Sequence, residues 1–253
     1  MIRALRLLVA GMLTAAVPLA AARAQDRACN APPELLEAGA PLPATVRAVN
    51  AGSLRILVVG GASVLGPGTS GPAAAWPARL EALIAARRPG LKVEVAVKGR
   101  RGLGTAESAA LLEAELARAP AQLVLWATGT ESAVRGREVD EMVEALNGGL
   151  EALRSAGADA VLIDPQFSRF LRTNANVEPY LDALRLVAGA HRVPLFRRWD
   201  LMRAWAEAEV VDVERAPKPE RVAATDRLND CLAQALAALL RDGAAEARGR
   251  PRP

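Results

Sequence analysis

Five short apolar runs, separated by stretches with helical periodicity, set the pattern of this chain. The runs fall at residues 54–59, 93–97, 123–127, 160–163 and 193–196. Apolar residues recur at three- and four-residue spacing over 73–87, 105–118, 139–155 and 177–190, as one buried helix face requires. Strand and helix alternating at this interval predict a parallel sheet with helices on both faces. The first, third and fourth runs are apolar throughout, the mark of strands covered on both sides. Further helices are expected over 198–208 and 228–240, with a loop over 210–225 around Pro217 and Pro219. Trp199, Leu201, Met202 and Trp205 share one helical face and read as core.

The ends follow a different pattern. Arg3 and Arg6 precede an apolar stretch from 7 to 22 and the small-residue site Ala22-Arg23-Ala24, which together read as a signal peptide over 1–24 cleaved after Ala24. Cleavage would leave roughly 230 residues, enough for one domain with a sizeable core and with no remaining membrane span. Residues 25–53, with Pro32, Pro33, Pro41 and Pro43, read as an extended wrap. The domain proper is expected over 54–241, and residues 242–253 as a disordered tail.

Composition narrows the function classes. The formal charge is +4, but Arg3, Arg6 and Arg23 lie in the leader, and Arg241, Arg248, Arg250 and Arg252 lie near the carboxyl end. The body is near neutral and has no basic stripe interleaved with aromatics, so nucleic acid is not an expected partner. Export makes the location periplasmic or secreted, where two cysteines most often form one bridge, here Cys29 with Cys231. One histidine and two widely spaced cysteines fit no zinc pattern. No metal or other cofactor is expected.

The candidate chemistry begins where the first run ends, at Gly60-Gly61-Ala62-Ser63. A buried strand delivers Ser63 to a tight turn at the carboxyl edge of the sheet, where open α/β sheets place their sites. Gly61 and Gly66 have phosphate-loop spacing, but Pro67 stands where the lysine belongs. The dinucleotide fingerprint fails on its second and third glycines. A nucleophile elbow would need glycine at Leu65. The Ser63 turn could also hold an anion through backbone N–H groups, with Arg100 and Arg101 on the same edge.

Four blocks in order resemble the SGNH (GDSL-type) hydrolase family. They are Gly61-Ala62-Ser63 with Gly66, Arg100-Arg101-Gly102, Trp126 to Glu131, and Asp164-Pro165-Gln166, each after its own strand. The resemblance spans roughly residues 54–240. It implies a three-layer α/β/α fold with a flavodoxin-like, five-stranded parallel sheet. It also implies Ser63 as nucleophile and the Gly102 N–H as an oxyanion donor.

The same resemblance marks departures. Glu131 stands where the family has an oxyanion-binding asparagine, and an ionised carboxylate only accepts hydrogen bonds. Losing one such donor costs about 10² to 10³ in rate. The last block should supply Asp-x-x-His. Asp226 matches its aspartate, which puts Asn229 at the histidine position; anchoring on Asn229-Asp230 puts Arg227 there instead. His191 lies at the amino end of the fifth run, on the edge away from Ser63. Loss of the base of a serine triad costs on the order of 10⁶ in turnover. The expectation is an exported hydrolase-like protein with impaired or lost esterase activity and a ligand- or envelope-binding role, its ligand a small ester or glycan. Two alternatives stand beside it: an active esterase with a carboxylate base drawn from Asp226, Asp230 or Glu131, and a structural envelope protein without a pocket.

Overall fold

The structure is a computed structural model and describes residues 29–249. The chain divides into two compact units, Met1–Asn30 and Ala31–Pro253. Only Cys29 and Asn30 of the first are described, and the expected signal peptide lies outside the described residues.

The second unit is built on five parallel strands: β1 (Ser53–Gly60), β2 (Lys92–Gly99), β3 (Leu123–Ala127), β4 (Asp159–Ile163) and β5 (Leu195–Phe196). Their order is β2-β1-β3-β4-β5, all neighbours parallel. Ile56, Val58 and Val59 of β1 are fully buried, as are Leu123 to Trp126 of β3, which is why these strands read as continuous apolar runs. β2 lies at the edge. Its Lys-Val-Glu-Val alternation reflects one wet face and one packed face.

Nine helices are described: α1 (Pro43–Asn50), α2 (Trp76–Arg87), α3 (Thr105–Arg118), α4 (Thr130–Arg135), α5 (Val139–Ser155), α6 (Arg169–Asn174), α7 (Glu178–His191), α8 (Arg198–Glu207) and α9 (Arg221–Ala247). α1, α2 and α9 pack on one side of the sheet, and α3, α5 and α7 pack together on the other. The result is the expected three-layer α/β/α fold. Gly149 in α5 lets that helix approach β3, because a Cβ there would meet the Trp126 ring at 2.6 Å. The indole N–H of Trp126 donates to Ser108 Oγ at 2.8 Å. Trp199, Leu201 and Trp205 are buried as expected, while Met202 is only partly covered.

Three expectations at the chain ends need correction. Residues 31–53 are not an extended wrap: Pro33–Leu35 form a 3₁₀ turn and Pro43 starts α1 at its first position, where proline costs no hydrogen bond. The Asp159 carboxylate caps α1, accepting from the Ala44 and Thr45 N–H groups at 3.2 and 2.7 Å. The tail is not disordered from 242 onward, since α9 continues to Ala247. There Gly243 O accepts from Leu42 N at 3.0 Å, and the Asp242 carboxylate accepts from Ala38 N at 2.8 Å. Residues 250–253 of that expected tail lie outside the described residues. Finally, the loop after 210 ends sooner than expected, because a 3₁₀ turn at Lys218–Glu220 leads directly into α9.

Both cysteines are disulfide-bonded, and none is free among the described residues. Among the described residues no helix is long and apolar enough to cross a membrane, and no group of His, Cys, Asp or Glu could hold a metal ion.

Candidate active site at the carboxyl edge of the sheet

β1 ends in a glycine because nothing larger fits. A Cβ on Gly60 would lie 2.8 Å from the Ala127 carbonyl, and one on Gly99 would lie 2.6 Å from Val64 Cγ2. This space lets Ala62–Leu65 turn as a short 3₁₀ segment with Val64 folded over the strand ends. Gly66 follows in the left-handed region at φ 67°. Ser63 therefore stands beside the place where the sheet order reverses, with β2 on one side of β1 and β3 on the other, the topological switch point of such sheets.

Among the described residues the Ser63 hydroxyl has one hydrogen-bond partner, and it is a cation. Arg198 Nη1 donates to Ser63 Oγ at 3.0 Å. The same guanidinium donates through Nε to the Asp164 carbonyl at 3.0 Å, and Nη2 is buried without a partner. Arg198 is 2% exposed and Asp164 1%. Asp164 Oδ1 accepts from Trp199 N at 2.8 Å, so the end of β4 fixes the first turn of α8 and thereby aims Arg198. Trp199 is held in turn by an edge-on contact with Phe167, ring centroids 5.2 Å apart.

Burial dominates the electrostatics of this pair. It pushes the Asp164 carboxyl from 3.8 up to about 7, against the opposing pull of the Trp199 N–H and the Arg198 charge. Burial lowers Arg198 to about 10, with Asp164 acting in the other direction. Arg198 thus stays cationic at neutral pH, and a guanidinium has no lone pair with which to take a proton from serine. A carboxyl raised on folding binds its proton more tightly in the native state. Its stabilisation is complete below pH 3.8 and is lost as pH rises through about 7. Asp164→Asn should therefore flatten the fall in folding stability between pH 4 and 7, a slope of up to about 1.4 kcal/mol per pH unit for one proton. Urea unfolding across that range checks this, and an unchanged slope in the variant would assign it to other groups.

The remaining sequence candidates fall into two groups. Gly102 has φ +75°, and a Cβ there would sit 3.0 Å from Arg135 Nη2 and 3.7 Å from Glu131 Oε1. Glu131 thus lies by Gly102, paired with Arg135 at 2.5 Å one helical turn away, so its charge is offset rather than open. Asp226 and Asn229, in contrast, serve the segment before α2. The Asp226 carboxylate accepts from the Ser70 N–H at 2.9 Å and its hydroxyl at 2.6 Å, contacts that hold its pKa below the usual carboxylate range. Asn229 is buried; its carbonyl oxygen accepts from Trp76 N at 2.9 Å and its amide donates to Thr225 O. Asp230 pairs with Arg79 at 3.2 Å. Arg227 lines a cleft of about 470 Å³ with Asp212, Arg215 and Ala216, and Ser63 is not part of it. His191 ends α7 and meets Asn147 Oδ1 through Nε2 at 2.8 Å. Arg100, on the Ser63 edge, pairs with Glu107 at 3.6 Å.

Sequence reasoning missed Arg198 and a buried hydroxyl cluster. Thr105 Oγ1 meets Thr128 Oγ1 at 2.8 Å and Ser132 Oγ at 3.3 Å, tying the third block to α3. Arg198 looked like an ordinary polar residue at a helix start. The only available signal was a charged residue directly preceding the apolar face of α8.

Comparison with known proteins agrees with this architecture. The profile of the non-GDSL lipase-like family matches residues 28–246. No curated protein matches the chain in sequence. Among solved structures, TesA is similar at 22% identity and TM-score 0.57, covering 74% of this chain and 99% of its own. An acetyl-xylooligosaccharide esterase from Geobacillus stearmophilus is similar at 16% identity and TM-score 0.56, covering 72% and 94%. AlinE4, an SGNH-hydrolase family esterase, is similar at 19% identity and TM-score 0.51, covering 65% and 86%. At these identities the solved structures establish the fold, and the profile establishes the kinship. The chain belongs to the non-GDSL lipase-like family.

Proposed function

We propose that this protein is an exported member of its family in which Ser63 no longer turns over esters and the carboxyl edge holds a small ester or glycan ligand without cleaving it. One observation carries the reading: the Ser63 hydroxyl is met by the Arg198 guanidinium, which donates and cannot act as a base. Of the candidate triad positions, Asp226 and Asn229 spend their hydrogen bonds on Ser70 and Trp76, and Arg227 lines a cleft that does not include Ser63. Glu131 at the oxyanion position is ion-paired with Arg135. The disulfide supports export, since such bonds persist in oxidising compartments.

A second reading, an active esterase with a carboxylate base, draws support from Asp164. Its pKa of about 7 is the value a general base needs at neutral pH, although one of its oxygens is engaged by Trp199. Hydrolysis of p-nitrophenyl acetate and butyrate by the wild type, Ser63→Ala and Glu131→Asn separates the two. Equal, near-background rates for all three are expected. A rate that Ser63→Ala lowers by about 10² or more, with an inflection near pH 7 absent in Asp164→Asn, would establish the esterase instead.

A further inference from the structure

The amino edge of the sheet, opposite Ser63, carries a groove of about 320 Å³ between α1, α2 and α9. Its floor is apolar, with Leu54, Ile84, Leu91 and Leu240 as the larger side chains. Four arginines complete the lining, Arg87, Arg88, Arg241 and Arg248, and no carboxylate is among the lining residues. Arg87, Arg88 and Arg248 make no ion pair with any described residue. Helix dipoles account for some of this charge, because Arg87 and Arg88 close α2 and Arg248 closes α9. They do not account for the convergence of Arg87, Arg88 and Arg248 on one apolar slot. A second observation points to a ligand. Thr45 lines the groove, is 6% exposed, and its hydroxyl is buried without a partner, a state that normally calls for an explanation.

We propose that this groove binds a free long-chain carboxylate, its acyl chain on the apolar floor and its head group at the arginine rim. The apolar floor gains from covering by a hydrocarbon tail. A carboxylate is the head group that guanidinium donors match two at a time. The site is separate from the Ser63 edge and does not depend on whether Ser63 is catalytic.

Isothermal titration of the full chain with dodecanoate, below its micellar concentration, tests the assignment. Saturable one-to-one binding is expected. Arg87→Glu/Arg88→Glu, both on the surface, should weaken it at least about 10-fold. Ala244→Phe, which fills the groove and leaves its charge intact, should weaken it to a similar degree. Dodecanol, with the same tail and no charge, should bind at least about 10-fold more weakly. Circular dichroism of both variants confirms that they remain folded. Absence of saturable binding overturns the proposal, as does equal affinity for dodecanol and dodecanoate. Binding that survives both groove variants, or that is lost in Ser63→Ala, places the ligand elsewhere and also overturns it. Attachment to anionic vesicles without binding of the monomeric acid makes the groove a membrane contact and rejects the free-acid assignment.

Discussion

Arg198→Met is expected to lower folding stability by about 1.5 to 3 kcal/mol near pH 8, because the buried Asp164 carbonyl and the Ser63 hydroxyl lose a charged hydrogen-bond donor and the Asp164 carboxylate loses a favourable charge. Methionine fills similar space without a polar head, so the loss reports the missing cation rather than a cavity. Arg198 is one of the groups holding the Asp164 carboxyl down to about 7. Without it, the folded-state pKa moves higher and the buried carboxylate becomes harder to ionise. The sign of the pH effect follows. At pH 5 Asp164 carries its proton with or without Arg198, so the two proteins differ least there. The gap opens as pH rises through about 7, where the wild-type carboxyl ionises with Arg198 nearby and the variant's keeps, among cations, only the weaker pull of Arg185. Urea unfolding at pH 5 and pH 8 measures both values. A loss below about 1 kcal/mol, the same at the two pH values, would show that the guanidinium does not stabilise this carboxylate.

The second large effect is covalent. Cys29→Ala should destabilise the protein by up to about 4 to 5 kcal/mol, the chain-entropy estimate for closing a loop of this length. For a domain of this size that corresponds to a fall in melting temperature of about 10 to 20 °C. Cys29 is the better site for the change because Cys231 is 1% exposed within α9. A free Cys231 left behind behaves as a small buried hydrophobe, so the variant isolates the bond. Wild-type protein unfolded in dithiothreitol should match the variant. Identical melting with and without reductant would mean that the bond contributes nothing to stability.

The strand and helix pattern was legible because periodicity is local. The limits of β3, α3 and α5 coincide with the apolar and amphipathic runs that predict them. The N-terminal wrap and the C-terminal tail were misread for the opposite reason. Pro41 and Pro43 suggested extended chain, yet Pro43 occupies the one helical position that tolerates it. The end of α9 was expected to be part of a disordered tail. It is ordered by its close fit to Leu42, where a Cβ on Gly243 would lie 2.9 Å from the leucine side chain. At the site, Ser63 stood out by the glycine pair before it at the end of a strand, and Gly102 only by the resemblance to the family's second block. Arg198 could not, because its meaning lies in a contact 135 residues away in sequence. Whether Glu131 was a bare charge or a paired one was equally hidden until α4 placed Arg135 one turn beyond it.

The Asn229–Trp76 hydrogen bond makes the last block hard to reverse. If the last block is anchored on Asp226, Asn229 stands at the histidine position, and its carbonyl oxygen is also what satisfies the first N–H of α2. A histidine introduced there would have to abandon that N–H in a buried setting before offering anything to Ser63. On that anchoring, a route to a complete triad must first find the α2 N–H a new partner. The position works like a ratchet: a substitution that looks like a single step back in sequence is two dependent steps in structure.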